Sequence, residues 1–140
     1  MSLNVTPHLN FRGEARAALE HYQHAFGGDV VLSTHGEAGP VADPADADLV
    51  IWGQLTAPNG VRVMVFDVPS GRAFDRGQES FFVSVRGDDP AEVADAWSRL
   101  VEGGRVVVDL APSPWSPLYG MVVDRFGVTW VLDVAVAYEG

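Results

Sequence analysis

Two stretches of the chain share one pattern, Ala25-Phe26-Gly27-Gly28-Asp29-Val30-Val31 and Val101-Glu102-Gly103-Gly104-Arg105-Val106-Val107. In each stretch a double glycine ends a helical pattern and is followed by residues that favour strands. The glycine pairs lie 76 positions apart, and a second match, Gly60-Val61 with Gly127-Val128, lies 67 positions apart. A longer loop in the first half accounts for the difference. The repeat therefore predicts two βαβββ modules of similar size.

The first module is predicted at about residues 4–76. Its helix is indicated by four apolar residues at helical spacing, Ala15, Leu19, Tyr22 and Phe26. Residues 36–47 indicate a loop because they are rich in Gly, Pro and Asp, and Pro58-Asn59-Gly60 is a hairpin signal. The predicted elements are, in order, a strand at 5–11, a helix from 13 to about 26, strands at 29–34, 49–55 and 61–66, and a connection at 68–78.

The second module, at about residues 77–137, repeats this order. Asp89 and Pro90 mark its helix start, since Asp caps helices and Pro suits the first helical position. That helix is expected to bury Val93, Trp97, Leu100 and Val101. The predicted elements are a strand at 80–85, the helix up to Gly103-Gly104, a strand at 105–110, a proline-rich loop to 117, and strands at 118–123 and 128–134. Because one such unit has a single helix to cover its sheet, the modules are predicted to pair in one domain over residues 1–140.

The composition argues against several classes of protein. The chain has 19 acidic and 9 basic residues, and a net charge of −10 argues against non-specific nucleic-acid binding. The absence of cysteine excludes disulfides, thiolate metal sites and a cysteine nucleophile. No apolar run reaches the roughly 18 residues of a membrane span. Since the first residues also lack the pattern of a signal peptide, a cytoplasmic protein with no nucleic-acid or membrane partner is expected.

Three segments resemble one superfamily: residues 6–15, residues 67–71, and a C-terminal group comprising Trp115, Tyr119-Gly120 and Asp124-Arg125-Phe126-Gly127-Val128-Thr129-Trp130. The sequence resembles the vicinal-oxygen-chelate superfamily, which includes glyoxalase I, extradiol dioxygenases, and fosfomycin and bleomycin resistance proteins. Within it, the chain is similar to the PhnB-like branch, whose members carry the label 3-demethylubiquinone-9 3-methyltransferase-like. The resemblance implies an α+β fold in which two βαβββ modules form curved mixed sheets around a cleft.

The resemblance also implies where a metal would bind, because superfamily enzymes typically hold a divalent metal with a His or Glu from each of four strands. In the first strand Leu9 and Phe11 should face the helix, which leaves His8 as a candidate ligand in the cleft. The glutamate of the last strand is replaced by Val131, which cannot bind a cation. The other two positions fall at Trp52 or Gly53 and at Ser80 or Phe82. With one donor of four, we expect no metal cofactor, because a metal site needs at least three donors.

Alternation along the strands predicts the side chains that line the cleft, where a mixture of apolar walls and a few polar groups is typical of a small-molecule pocket. The candidate ligand-binding residues are His8, Asn10, Trp52, Arg62, Met64, Phe82 and Ser84, with Trp115 and Tyr119 at one end. The alternative is that these aromatic residues only complete a core. His21 and His24 are expected on the solvated face of the first helix, and His35 carries no signal of its own.

These observations predict a metal-free protein that binds a small apolar or aromatic molecule. The resemblance implies a homodimer, with or without exchange of modules between the chains. A metal-dependent lyase or dioxygenase of the same superfamily, using His8 and further donors, is the alternative. A methyltransferase-like role is suggested by the family label alone, since no Gly-x-Gly-x-x-Gly follows a strand to support an adenosylmethionine-binding fold. No catalytic residue can be assigned from the sequence.

Overall fold

Strands and helices follow one another in a repeated order along the computed structural model, which describes residues 2–136. The first half contains β1 (His8–Phe11), α1 (Ala15–Phe26), β2 (Asp29–Thr34), α2 (His35–Ala38), β3 (Val50–Thr56) and β4 (Arg62–Asp67). The second half contains β5 (Val83–Gly87), α3 (Pro90–Leu100), β6 (Arg105–Ser113), β7 (Ser116–Val123) and β8 (Thr129–Val134). The predicted module end at 137 and the termini of the predicted 1–140 domain lie outside the described residues.

Each half of the chain forms one four-stranded mixed sheet with the same topology. The first unit ends at Arg76 and the second begins at Gly77. The strand orders are β1-β4-β3-β2 and β5-β8-β7-β6. In both sheets the first strand runs parallel to the last, and the remaining pairs are antiparallel. The predicted α+β fold of two βαβββ modules is confirmed. None of the helices within residues 2–136 is long and apolar enough to cross a membrane.

The double glycines of the repeat lie where a helix end meets a strand. Gly27 and Gly103 both have φ of 75°, a left-handed conformation that glycine adopts without steric cost. A Cβ on Gly28 would lie 2.4 Å from the carbonyl oxygen of Thr56, and one on Gly104 would lie 2.5 Å from that of Val123. Each pair is therefore required by the backbone, which explains why the pattern occurs twice.

Two further glycines allow the helices to pack on their sheets. A Cβ on Gly53 of β3 would lie 2.7 Å from Cδ1 of Leu19 on α1. A Cβ on Gly120 of β7 would lie 2.8 Å from the Trp97 ring of α3. These glycines are 67 positions apart, the same spacing as the repeated hairpin turn. The repeat therefore extends to the helix–sheet contact.

Several predicted boundaries are wrong. Instead of a strand ending at 110 and a proline-rich loop, β6 continues to Ser113 and β7 starts at Ser116. Pro112 lies on β6, an edge strand, and Pro117 lies at the start of β7, before its first pair with β8, and strands tolerate proline at both kinds of position. The predicted loop at 36–47 contains α2 and a 3-10 turn at Pro44–Asp46. The predicted strand at 80–85 begins only at Val83, after a turn in which Glu79 has φ of 51°.

The side-chain positions predicted for the two long helices need correction as well. His21, expected on a solvated face, is buried. Ala18 and Ala25, which are about one turn before and one turn after His21 on the same side of α1, are buried as well. On α3, Val93 and Leu100 are buried as expected, whereas Trp97 and Val101 are only half-buried.

Candidate functional site

The first sheet has one face covered by α1 and one face turned away from it, which we call the open face. On β1, Leu9 and Phe11 are buried toward the helix, whereas His8 and Asn10 are exposed on the other side. Their neighbours across the parallel pairing with β4 are Met64 for His8 and Phe66 for Asn10. Side chains of β1 and β4 therefore form one continuous surface.

Phe66 is the centre of this surface. Its ring centroid lies 6.4 Å from that of His8 and 5.6 Å from that of His35. The guanidinium carbon of Arg72 lies 5.9 Å from the same centroid. We call these four residues, His8, His35, Phe66 and Arg72, the Phe66 cluster. It combines one half-buried phenyl ring with three nitrogen-bearing side chains.

One ring nitrogen of each histidine in the cluster contacts an oxygen atom of the protein. His8 Nδ1 lies 3.1 Å from Oδ1 of Asn10, and His35 Nε2 donates to the carbonyl oxygen of Asp67 at 2.9 Å. His35 is also positioned by α2, which is capped by reciprocal hydrogen bonds between Thr34 and Glu37. Within the described part of the chain, His8 Nε2 and His35 Nδ1 have no hydrogen-bond partner. Both nitrogens are therefore free to bind a ligand.

Arg72 reaches the cluster because Arg12 fixes the segment that carries it. The Arg12 side chain donates to the carbonyl oxygens of Val68 and Pro69, both at 3.3 Å, and to that of Arg72. The Arg72 guanidinium itself forms no ion pair within residues 2–136. Arg12 belongs to the first family-like segment, and Pro69 to the second. These two segments therefore help to build the surface around Phe66.

Five of the residues predicted to bind a ligand lie on the open face: His8, Asn10, Trp52, Arg62 and Met64. Trp52 pairs with Ser33 of β2, and Arg62 with Thr56 of β3. Their placement on one face agrees with the predicted alternation. Their role in binding stays a prediction.

The other four predicted residues lie in the second unit. Ser84 of β5 is exposed and pairs with Val131 of β8. Tyr119 of β7 contacts Trp115 edge to face, with ring centroids 5.2 Å apart. Trp115 is at the tip of the β6–β7 hairpin instead of in a long loop, and Phe82 lies one residue before β5. Ser84 and Tyr119 are on strands, whereas Trp115 and Phe82 are in connections.

The donors present do not fit a metal of the kind the superfamily implies. Val131 faces the same side of β8 as Asp133, so a carboxylate lies two residues from the expected glutamate position. However, Asp133 is buried and accepts from Arg86 Nε at 3.0 Å and from Nη2 at 2.9 Å. This two-point pairing uses both carboxylate oxygens. In residues 2–136 no three His, Asp or Glu side chains are grouped so that they could hold a metal ion.

Two aspartates of the family-like segments, Asp67 and Asp124, have structural roles. Asp67 Oδ1 accepts from the backbone nitrogens of Gly13 and Ala15, at 2.8 and 3.1 Å, and Oδ2 from that of Val50 at 3.0 Å. These contacts hold the start of α1 against β3. The buried carboxylate of Asp124 plays a similar part in the β7–β8 turn. Neither aspartate is available for chemistry on a ligand.

Sequence reasoning missed three members of the Phe66 cluster. Phe66 lies two residues after Met64 on β4, so the alternation of side chains along a strand predicts that both lie on the same face. His35 begins the short helix α2, and Arg72 lies in the connection after β4. Contacts between residues distant in sequence, from His35 to Asp67 and from Arg12 to Arg72, help to hold both beside Phe66. No spacing of residues in the sequence predicts that these side chains contact Phe66.

Comparison with known proteins agrees with this architecture. The family model of the Glyoxalase/Bleomycin resistance protein/Dioxygenase superfamily matches residues 7–132. Protein PA1353 from Pseudomonas aeruginosa has a similar crystal structure, with a TM-score of 0.79 and 30% identity over 95% of this chain and 98% of that one. Protein YjdN from Escherichia coli is 25% identical over 93% of this chain and 94% of its own length.

A PhnB protein from Bacillus cereus, which carries the label 3-demethylubiquinone-9 3-methyltransferase, has a TM-score of 0.71. It is 26% identical, and the match covers 95% of this chain and all of that one. The resemblance that the sequence segments indicate is thereby confirmed. The chain belongs to the Glyoxalase/Bleomycin resistance protein/Dioxygenase superfamily, and a PhnB protein is among its structural neighbours.

Proposed function

We propose that the chain binds a small molecule with an apolar or aromatic part on the open face of the first sheet. The observation that supports this most is the Phe66 cluster, in which a half-buried ring is surrounded by polar groups with unused hydrogen-bonding capacity. Ligand sites combine apolar surface with a few placed polar groups in this way. Met64 and Trp52 extend the apolar surface along β4 and β3.

The proposed binding does not use a metal. His8 is the one ligand candidate on β1, and its Nδ1 already contacts Asn10. The carboxylate of Asp133, two residues from Val131, is paired with Arg86. A metal-dependent lyase or dioxygenase would need donors that these contacts do not provide. The methyltransferase label belongs to the Bacillus cereus protein, and no feature of the Phe66 cluster supports methyl transfer by this chain.

The test is an NMR screen of small aromatic and aliphatic compounds against isotopically labelled protein. We expect binders to shift the backbone amides of His8, Asn10 and Phe66. Phe66→Ala should weaken binding about tenfold or more, because it removes the ring that a ligand would contact. Phe81→Ala is the matched control, since Phe81 is an exposed phenylalanine outside the first sheet. Binders that shift other residues, or equal effects of the two variants, would contradict the proposal.

We also propose that the chain forms a homodimer through β6, which lies at the edge of the second sheet. Three consecutive exposed valines, Val106, Val107 and Val108, lie on this nine-residue strand. A long apolar edge strand is a surface that proteins normally cover. Bulges interrupt the register between β6 and β7, but the outer edge of β6 has no strand beside it within residues 2–136.

The occupant that fits this edge best is a second copy of the chain. Antiparallel pairing about a two-fold axis at Val107 would place Val106 opposite Val108 of the partner subunit. It would also place Arg105 opposite Asp109 of the partner subunit, and both residues are exposed. Opposite charges directly across from each other stabilise an antiparallel pair. The strand is therefore complementary to itself, as a two-fold interface requires.

A further inference from the structure

We infer that the Phe66 cluster recognises a carboxylate carried by an aromatic or apolar ligand. This inference rests on the proposed function, which concerns binding on the same face, and adds the charge and shape of the group that is bound. It starts from a local contrast in charge. The chain as a whole carries −10 with histidine counted as neutral, yet the charged side chain of the Phe66 cluster is the cation Arg72.

Arg72 forms no ion pair within residues 2–136. Asp46, whose carboxylate lies beside the segment that carries Arg72, accepts from the Ser70 hydroxyl at 2.8 Å. Asp67 follows Phe66 directly, but its carboxylate is buried and bonded to the backbone nitrogens of Gly13, Ala15 and Val50. Glu37 lies on the same short helix as His35, and its carboxylate is engaged with Thr34. The positive charge of Arg72 is therefore left without an ionic partner inside the described chain, and an anion would supply one.

The geometry of Arg72 suits a carboxylate. Its guanidinium lies over the Phe66 ring, and this contact leaves the N–H groups at its edge free to donate. A guanidinium presents parallel N–H donors that match the two oxygens of a carboxylate. In a neutral imidazole, His8 Nε2 and His35 Nδ1 are acceptors, because the other ring nitrogen of each donates to an oxygen atom. The donors to the carboxylate therefore come from Arg72. An aromatic body on the ligand could then pack on Phe66 while its carboxylate meets Arg72.

Benzoate and benzamide form a suitable pair of probes, because they share a ring and a planar head group but differ in charge. In NMR titrations we expect benzoate to shift the amides of His8, Asn10 and Phe66 and to bind about tenfold or more tightly than benzamide. Arg72→Gln should abolish this preference. Arg16→Gln is the matched control, since it removes the same charge from the exposed side of α1.

Arg72→Lys distinguishes charge from shape, because it keeps the positive charge and loses the paired donors. We expect it to recover only part of the preference for benzoate. Equal affinity for benzoate and benzamide on the open face would overturn the inference while leaving the proposed function intact. Absence of any benzoate-induced shift at these amides would overturn the inference as well. The proposed function fails by a separate result, namely that no compound of the wider screen contacts the open face.

Discussion

Asp124 shows what the C-terminal family-like segment does at the scale of one residue. Its Oδ1 accepts from the backbone nitrogens of Phe126 and Val128, at 2.8 and 3.0 Å, and its Oδ2 accepts from Trp130 Nε1 at 2.9 Å. Asp124 and Trp130 are both buried. The spacing of Asp and Trp in the motif is therefore explained by a buried carboxylate that joins a turn to the indole of the next strand.

Asp124→Ala should lower the free energy of unfolding by about 2–4 kcal/mol, because it leaves three buried donors without an acceptor. Chemical denaturation measures the change. Asp88→Ala, which removes an exposed carboxylate, is the control and should change stability by about 0.5 kcal/mol or less. A loss at position 124 no larger than that at position 88 would show that the motif does not have this structural role.

Individual residues also show where sequence reasoning succeeds and where it stops. His8 and Asn10 were predictable on one face of β1, since alternation in a strand depends only on local geometry. The approach of Arg72 to Phe66 was not predictable, because it depends on hydrogen bonds from Arg12 to a segment more than 50 positions away. The burial of His21, which shares one side of α1 with the buried Ala18 and Ala25, was not predictable from the polarity of its side chain either.

At the scale of elements, the close contact between α1 and the first sheet depends on Gly53. Gly53 of β3 faces Leu19 of α1, and the Val65 side chain of its partner residue on β4 lies close to the same position. A side chain at this position would separate the helix from the sheet. Gly120 faces Trp97 of α3 in the same way, so the second module also packs its helix against a glycine of the sheet.

Gly53→Ala should therefore destabilise the protein by about 1–3 kcal/mol, because its Cβ would lie 2.7 Å from Leu19 and 2.9 Å from Val65. Thermal and chemical denaturation both report this change. Gly71→Ala serves as the comparison, since a Cβ at Gly71 meets no atom within 4 Å. Equal stability of the two variants would argue against the tight helix–sheet contact.

The element pattern was largely predictable because helix caps, glycine pairs and hairpin turns are local signals. The β6–β7 hairpin was not. Its prolines indicated a loop, but Pro112 lies on an edge strand and Pro117 lies at the start of β7, where strands tolerate proline. The start of β5 was misplaced for a related reason, since Ser80, Phe81 and Phe82 have strand-favouring or neutral side chains but follow a turn.

For the whole molecule, the proposed dimer predicts the effect of a charge on the β6 edge. Val107→Glu should convert a dimer to a monomer, because the two-fold axis would bring two carboxylates together. Light scattering coupled to size-exclusion chromatography measures the mass. Val31→Glu is the control, since Val31 is an exposed valine on β2, the edge strand of the other sheet. A wild-type protein that is monomeric at every concentration, or a dimer that survives Val107→Glu, would contradict the β6 interface.

The pattern of the whole chain establishes the fold and the family but does not establish an activity, because one fold can host many activities. Two mixed sheets of equal topology and a family match over residues 7–132 establish the superfamily. The expected cytoplasmic location and the absence of a metal cofactor stay predictions. In this chain the open face presents the Phe66 cluster, and the carboxylate of Asp133 on β8 is paired with Arg86.

The central claim is that the open face binds its ligand through protein side chains alone. The most direct measurement is the dissociation constant of the strongest binder from the NMR screen, determined after dialysis of tag-free protein against a chelator and again after addition of zinc ions. We predict that the two constants agree within about twofold and that the same open-face amides shift. Binding that disappears with the chelator, and that zinc restores in the wild type but not in His8→Ala, would contradict the claim.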